Sequence, residues 1–443
     1  MRSRACCGKI GPRGSLAMTD PHSELVHPFK ALYIHIPFCR SKCIYCDFDS
    51  ASTASSSVAR SVDPYVTSLV RRIRSFGEAG LLSGIQTVYV GGGTPSILGD
   101  TLVDLVRLVL VYCKPAEFTC EANPDSFDLD FARALSQAGV TRISFGVQSL
   151  NDDELKAVGR IHTAEIALNA IRCAIQFGLI VSADLMCGLP KQSLASWRDS
   201  LARIISSGVE HVSVYPLTVE DATPLSRLVS LGKVLLPDED FQAMCMSEAR
   251  DALKRAGFMP YEVASYARAG HVCRHNIAYW TGVPYLGIGR SAAGMFSACD
   301  ASGLSPYFSG LSDREQMASG RIRYVQLDDS AHRFDYEVVS DREAASEDLM
   351  LGCRLTSGIP APRLDELSKR ISLPEVARSC DRACALGLAR WVDSRGAEIS
   401  NVDSTSLISS SRSLFQPTEL GWLEGNVLFE LFWDLAEPSD KID

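Results

Sequence analysis

Three cysteines near the start of the chain place the strongest constraint on what it can fold around. Cys39, Cys43 and Cys46 follow the apolar run 32–36 at C-x3-C-x2-C spacing. Three thiolates on one short loop can hold three irons of a 4Fe–4S cluster and leave the fourth iron open to a small ligand. Zinc is the main rival, but structural zinc sites want four ligands, and no second cysteine knuckle with a following histidine stands at such spacing. The trio therefore predicts a 4Fe–4S cluster.

The composition of the chain limits the number of domains, the partners and the location that can be expected. The 443 residues are 46% hydrophobic with a net charge of −9, which suits a large domain plus a smaller one. The negative charge argues against nucleic acid as a partner. Most of the other cysteines stand singly in apolar contexts, which is typical of free buried thiols. An odd trio without a secretory signal is not a secreted disulfide framework, so a reducing cytoplasm is the expected location.

From residue 32 onward, short apolar runs alternate with longer helical patterns. The predicted strands are 32–36, 87–90, 117–120, 142–147, 180–185 and 211–215. The predicted helices between them are 65–76, 102–112, 128–138, 163–177 and 194–206. Such units in series predict a parallel sheet with right-handed crossovers, whose chemistry collects at the C-terminal ends of the strands. Six units cannot close an eight-fold barrel.

Changes in pattern divide the chain into three segments. Residues 1–29 are rich in Arg, Gly, Ser and Pro, and we expect a disordered or over-annotated extension there. Residues 30–300 hold the strand-helix series. After Cys299 loops and then helical patterns follow, so residues 310–443 are expected to form a helix-rich second domain, with a winged helix as one form of it.

Glycines and polar residues follow the predicted strands. Glycines at a strand end let the backbone approach a ligand closely, and an arginine can pair with a carboxylate through two hydrogen bonds. Each residue alone is more often structural, but in series they predict one ligand site. They are Gly91-Gly92-Gly93-Thr94-Pro95 after the second strand, Glu121 after the third, Gln148 after the fourth with Arg160 twelve residues on, and Asp184 after the fifth.

The cysteine loop, with its Tyr-Ile-His-Ile-Pro-Phe lead-in, resembles the radical S-adenosylmethionine superfamily and, more narrowly, the oxygen-independent coproporphyrinogen III oxidase family. The resemblance implies an α/β fold: a partial (β/α)6 TIM-like radical S-adenosylmethionine barrel, open for about a quarter, followed by a smaller helix-rich C-terminal domain. It also implies that S-adenosylmethionine binds the open iron of the cluster. The residues that it implies for that cofactor are Tyr33, Gly92, Gly93, Thr94, Glu121, Gln148, Arg160 and Asp184.

One position departs from the oxidase pattern. The coproporphyrinogen dehydrogenases of this family carry a fourth cysteine, as C-x3-C-x2-C-x-C, and this chain has Phe48 there. That form resembles the HemW-type haem chaperone branch, which keeps the cluster and the S-adenosylmethionine site but passes on haem instead of decarboxylating a porphyrinogen. The resemblance therefore implies a haem chaperone with haem as cargo.

A second segment agrees with that branch. His275, Asn276, Tyr279 and Trp280 match its H-N-x-x-Y-W signature. Imidazole is a common axial haem ligand, and aromatic faces suit a flat macrocycle. His275 is therefore the predicted haem ligand, with Cys273 as a thiolate alternative. The structural alternative is a His-Asn turn anchored by two core aromatics.

The function that follows is a cytoplasmic haem chaperone, and whether it performs radical chemistry stays open. The alternative is an oxygen-independent coproporphyrinogen III dehydrogenase of porphyrin biosynthesis. An interaction module built around structural zinc is not supported, because the chain lacks a fourth zinc ligand near the three cysteines. The expected partners are haem, acceptor haemoproteins with membrane-associated cytochrome complexes among them, and an electron donor for the cluster; the chain is expected to be a monomer or dimer.

Overall fold

The computed structural model describes residues 28–437 apart from 313, 314, 316, 317, 401 and 411. The extension predicted for residues 1–29 thus lies outside the described residues, save for Pro28 and Phe29. Phe29 is fully buried in the main core, so at least one residue of the predicted extension belongs to the packed structure.

Strands occur along most of the described chain. They are β1 (Ala31–Ile36), β2 (Phe38–Cys39), β3 (Ala51–Ser52), β4 (Thr87–Gly92), β5 (Glu117–Ala122), β6 (Arg142–Gln148), β7 (Ile180–Cys187), β8 (His211–Pro216), β9 (Met259–Pro260), β10 (Ser265–Ala267), β11 (Tyr285–Ile288), β12 (Ala293–Ser297), β13 (Arg321–Gln326), β14 (Phe334–Val339), β15 (Ile359–Pro360), β16 (Ala389–Asp393) and β17 (Ser413–Pro417).

Twelve of these strands form one sheet, in the order β14-β13-β12-β11-β1-β4-β5-β6-β7-β8-β10-β9. The stretch from β11 to β8 is parallel. The six predicted strands are confirmed as β1 and β4 to β8, each within two residues of its predicted bounds. The two edge strands, β14 and β9, do not pair with each other, so the sheet stays open as a partial barrel.

Helices connect and cover these strands. In the described residues they are Ser56–Glu78, Asp100–Tyr112, Leu129–Ala138, Asp152–Ala157, Ala164–Gln176, Leu194–Ser206, Pro224–Ser230, Glu239–Arg255, Arg274–Trp280, Ala301–Leu304, Asp341–Gly352, Ala361–Ser368, Leu373–Ala385, Ser404–Ser409, Glu419–Leu423 and Gly425–Trp433. All five predicted crossover helices are present. No helix in the described part of the chain is long and apolar enough to span a bilayer.

The crossover helix Ala164–Gln176 shows how local sequence produces these elements. The Thr163 side chain accepts a hydrogen bond from the backbone N–H of Ile166 and caps the first turn. Ala167, Ala170, Ile171 and Ala174 recur at helical spacing and are buried against the sheet. The strands beneath it, β6 and β7, are buried over most of their length, as expected of parallel strands covered by helices. This rigid layer positions the strand ends.

The second domain begins later than predicted. β13 and β14, residues 321–339, pair in the large sheet, and Ile322 and Tyr324 belong to its core. A separate core starts at Ala345. In the described residues, the change from the large sheet to the second core therefore falls near residue 340, after the predicted boundary at residue 310. The C-terminal unit combines helices with a three-stranded sheet of order β15-β17-β16.

Candidate cofactor site

The cluster loop leaves β1 and is tied to the glycine segment that follows β4. The Gly93 N–H donates to the Ile36 carbonyl at 2.8 Å, and the Thr94 N–H donates to the Phe38 carbonyl at 2.7 Å. The Thr94 hydroxyl lies 3.4 Å from the sulfur of Cys39. A Cβ on Gly93 would come within 2.6 Å of the Phe38 carbonyl oxygen and 3.0 Å of the Cys39 sulfur. Glycine is needed here because the two segments approach so closely.

The three predicted cysteines line one cavity of about 350 Å³ at the C-terminal ends of the strands. Cys39 is buried, whereas Cys43 and Cys46 are half-buried. In the described residues, no three His, Cys, Asp or Glu side chains converge as ligands of a single metal ion would. A cluster needs no such convergence, because each thiolate binds a different iron. Phe48 also lines the cavity mouth, with 68% of its surface exposed.

Glu121 closes β5 beside the glycines. Its carboxylate accepts hydrogen bonds from the Tyr89 hydroxyl at 2.7 Å and from the Gly92 N–H at 3.0 Å. Burial raises the pKa of Glu121 to about 7, although both hydrogen bonds act in the opposite direction. Near neutral pH this carboxyl therefore exists in both protonation states and can accept a hydrogen bond from an ammonium group or from a hydroxyl.

Gln148 and Arg160 lie together at the end of β6. Gln148 has a φ of +67° next to an irregularity in the β6–β7 pairing, which turns its side chain toward the cavity. Arg160 donates to the Gly146 carbonyl, to the Asn123 side-chain oxygen at 2.9 Å and toward the Cys43 sulfur at 3.5 Å. Arg160 Nε and Gln148 Oε1 are buried without a hydrogen-bond partner in the described structure. Such atoms are suited to a polar ligand.

Asp184 does not end its strand as predicted, because β7 continues to Cys187. It lies inside the strand and faces the same cavity. The Ser144 hydroxyl donates to its carboxylate at 3.4 Å. Burial raises the pKa of Asp184 to about 6, opposed by hydrogen bonds from the hydroxyls of Ser213 and Ser144 and by the nearby Arg142.

The cavity therefore unites most of the residues predicted for the cofactor. Lining it together with the cysteines are Gly92, Gly93, Thr94, Glu121, Gln148, Arg160 and Asp184. Tyr33 lies apart, in a neighbouring cavity, and its ring stacks at 6.3 Å on Tyr89, which lines the cofactor cavity. That these residues bind S-adenosylmethionine stays a prediction.

His275 is placed where it cannot readily bind iron. It is 1% exposed, and Nδ1 lies 2.9 Å from the Thr87 hydroxyl while Nε2 lies 3.2 Å from the Tyr279 hydroxyl. Burial lowers its pKa to about 3, so the ring is neutral. Both nitrogens already have partners, and the structure does not support His275 as the haem ligand. Cys273 is also buried, and its thiol lies 3.5 Å from Glu117.

Sequence reasoning missed several polar residues that complete the cavity. Asn123 links Arg160 to the Thr94 hydroxyl, which it reaches at 3.1 Å. Tyr89 orients Glu121, and Arg142 and His211 line the deep end. These residues could have been found from strand alternation. Every second residue of a barrel strand faces the interior, within the strand as well as at its end.

Known proteins share this architecture. Residues 33–204 match the family model of the Radical SAM superfamily. The solved structure of the coproporphyrinogen III oxidase HemN from Escherichia coli, a radical SAM enzyme, has a TM-score of 0.69 and 19% identity, covering 93% of this chain and 92% of that chain. That likeness shows the fold. The fold and the cysteine-lined cavity define a protein of the radical S-adenosylmethionine class.

Curated relatives narrow the assignment. The haem chaperone HemW of Bacillus subtilis is 31% identical over 412 residues, which cover 91% of this chain and 99% of the relative. HemW of Synechocystis is 31% identical over 92% of this chain and 97% of its own length. HemW of Escherichia coli is 38% identical over 60% of this chain and 70% of its own length. This chain belongs to the HemW haem chaperone family.

The radical S-adenosylmethionine class implies a 4Fe–4S cluster and S-adenosylmethionine. The residues present fit that pair, because three thiols, a close glycine turn and two buried polar atoms without partners face one cavity. When bound, the cluster and its cofactor supply one-electron reductive chemistry. Gly93 and Thr94 hold the cluster loop in place, and the carboxyls of Glu121 and Asp184 would serve as hydrogen-bond acceptors for the cofactor.

Proposed function

We propose that this chain is a haem chaperone, which takes up haem and transfers it to acceptor haemoproteins. The observation that carries the proposal is its membership of the HemW family across 91% of the chain. Phe48 supports it too, since a phenylalanine cannot supply the fourth cysteine of the dehydrogenases. The cysteine loop and its cavity would hold the cluster and S-adenosylmethionine, and an electron donor would serve the cluster.

A second cavity suits the haem itself. It measures about 420 Å³, and its lining includes Tyr33, Tyr279, Trp280, Tyr285 and Met295. Aromatic and thioether walls offer flat, polarisable contact to a macrocycle. The Nε1 of Trp280 is buried and has no hydrogen-bond partner in the described structure. Two residues of the H-N-x-x-Y-W segment thus form the wall of this haem cavity.

The axial ligand is reassigned within the haem cavity. Tyrosine and methionine both serve as axial haem ligands in proteins, and Tyr285 and Met295 line this cavity. The Tyr285 hydroxyl has no hydrogen-bond partner among the described residues, whereas the Met295 sulfur lies 3.5 Å from Arg321 Nη1. Tyr285 is therefore the better placed of the two. His275 would act through its contact with Tyr279, by holding that ring in position.

Arg323 is placed to bind a haem propionate. It lies on β13 at the edge of the haem cavity, where Nη1 pairs with the buried Glu347 at 2.6 Å and Nη2 pairs with Glu337 at 2.8 Å. The Glu337 side chain is 62% exposed, so a propionate can take its place while Glu337 turns into solvent. A guanidinium forms two parallel hydrogen bonds with a carboxylate, which favours Arg323 over a lysine for this role.

The haem cavity and the cofactor cavity share an aromatic wall. Tyr33 lines the first and Tyr89 lines the second, and their rings stack at 6.3 Å. Tyr89 also donates to Glu121. Occupancy of the cofactor cavity can therefore alter the haem cavity through this pair, and S-adenosylmethionine would regulate haem binding or release.

A haem titration tests the proposal. The full chain should bind one equivalent of haem, and Tyr285→Phe should shift the Soret band. Trp280→Ala should weaken affinity at least fivefold, because an aromatic contact contributes about 1 kcal/mol beyond its buried area. Tyr112→Phe, outside both cavities, is the matched control. Failure of the wild-type protein to bind haem would overturn the proposed function, whereas unchanged spectra in Tyr285→Phe would overturn only the ligand assignment.

A further inference from the structure

The cofactor cavity extends far beyond the cysteines. Arg142, Ser144, Gly146 and Gln148 are alternate residues of β6, and all four line it. Six residues of strand span about 20 Å, so the cavity runs along the barrel interior from the cluster loop to the N-terminal end of β6. The upper part holds the residues assigned to the cofactor. The lower part, which we call the lumen floor, is built by Arg142, Ser182, His211 and Ser213.

The lumen floor is polar where barrel interiors are usually filled by branched apolar side chains. Ser182 and Ser213 are small, and they leave space in front of the strands. His211 is fully engaged, since Nδ1 lies 2.7 Å from the Ser182 hydroxyl and Nε2 lies 2.9 Å from the Tyr261 hydroxyl. The histidine therefore positions the wall and does not offer a free nitrogen.

Arg142 is the one residue of the lumen floor that carries a permanent charge. It is 2% exposed, and its Nη1 donates a hydrogen bond to the His271 carbonyl at 3.1 Å. A guanidinium has five N–H donors. No described carboxylate lies within ion-pair distance of it. Asp184 is near enough for Arg142 to lower its pKa, but the carboxylate is hydrogen-bonded by serine hydroxyls and not by the guanidinium. A buried guanidinium without a direct ion pair is costly unless a ligand supplies one.

We propose that Arg142 anchors the carboxylate of a small ligand that enters the lumen below the cofactor. The planar guanidinium offers two parallel N–H groups to a carboxylate, and the serines of the floor supply hydroxyls beside it. The carboxylate belongs either to a small free acid or to a propionate arm of a tetrapyrrole. With a free acid as the ligand, this inference is independent of haem transfer, whereas with a propionate arm it rests on the proposed function.

The experiment uses the full chain, reconstituted anaerobically and saturated with S-adenosylmethionine. Succinate is titrated by calorimetry, and haem and haem dimethyl ester by absorbance. Arg142→Gln should weaken the binding of a carboxylate probe at least tenfold, with Arg142→Lys between it and wild type. Arg107→Gln, an exposed arginine on the helix Asp100–Tyr112, should behave as wild type. A loss for succinate identifies a free acid, and a loss for haem but not for its ester identifies a propionate arm.

Stability separates binding from a structural role. An unpaired buried cation opposes folding, so Arg142→Met should leave the melting temperature unchanged or raise it. A fall of several degrees would mean that Arg142 serves the fold through His271, and the proposal would be overturned. The proposal would also be overturned if Arg142→Gln binds both probes as wild type does, or if it weakens S-adenosylmethionine itself tenfold, which would assign Arg142 to the cofactor.

Discussion

At the scale of single residues, the buried carboxyl of Glu121 makes folding depend on pH. Its pKa rises from 4.5 to about 7 on burial, so the folded state favours the protonated form. Stability from this group is complete below pH 4.5 and is lost as the pH rises through 7, at a cost of at most roughly 3 kcal/mol.

We therefore expect the free energy of unfolding of the cofactor-free protein to fall between pH 4.5 and 7, and to fall less in Glu121→Gln. Chemical denaturation at a series of pH values measures this, with the exposed Asp104→Asn as control. Parallel curves for wild type and Glu121→Gln would show that the carboxyl is not buried as described.

His275 gives the opposite prediction to the one its sequence motif suggested. His275→Ala should lower stability by about 1–3 kcal/mol, because it leaves the hydroxyls of Thr87 and Tyr279 without their partner. The haem band should keep its position. Thr87→Val removes one of the same hydrogen bonds but leaves the imidazole in place. It should also lower stability and leave the haem band unshifted, as His275→Ala does. A shifted band in His275→Ala alone would restore the histidine as ligand.

These two residues show what sequence can predict at this scale. Glu121 could be assigned to the cavity because the end of a parallel strand has a known direction. His275 could not be excluded as a ligand from the sequence. Its hydrogen bond to Thr87 on β4 forms only because the helix Arg274–Trp280, which also carries Tyr279, docks against the sheet.

At the scale of elements, the cluster loop depends on its contact with the segment after β4. Gly93→Ala places a methyl group against the Phe38 carbonyl and the Cys39 sulfur. We expect the reconstituted variant to hold less than half the iron and sulfide of wild type. Gly80→Ala is the matched control, since its φ of +76° makes alanine strained but no atom lies within 4 Å of the added Cβ. Full cluster content in Gly93→Ala would refute the close approach.

The elements themselves were predictable to different degrees. Six of the seven strands from β11 to β8 were found, because each has a continuous apolar run that a helical pattern follows. The parallel strand β11 was missed, since it is followed by another strand. β12 to β14 were missed, because they are antiparallel, carry exposed and charged positions such as Arg323 and Glu337, and pair with strands distant in sequence. That omission also misplaced the domain boundary.

At the scale of the whole molecule, an ion-pair network joins the large sheet to the C-terminal unit. Arg321 on β13 pairs with Asp348 at 2.9 Å and Glu347 at 3.3 Å, and Arg363 reaches Asp348 at 2.8 Å. The Arg321 side chain is only 8% exposed, so it depends on these carboxylates.

Asp348→Ala should therefore destabilise the protein by about 3 kcal/mol, because it removes one partner of a buried pair. Glu366→Ala breaks an exposed pair with Arg363 and should cost less than about 1 kcal/mol. Thermal unfolding of both variants measures the difference. Equal melting temperatures would mean that the network does not hold the two units together.

The most direct test of the central claim offers haem and coproporphyrinogen III to the same anaerobically reconstituted, S-adenosylmethionine-saturated protein. Absorbance follows haem uptake, and chromatography follows porphyrinogen products in the presence of a reductant. We expect one equivalent of bound haem, released to an apo-haemoprotein, and no protoporphyrinogen. Formation of protoporphyrinogen without uptake of haem would contradict it and would identify the chain as a dehydrogenase.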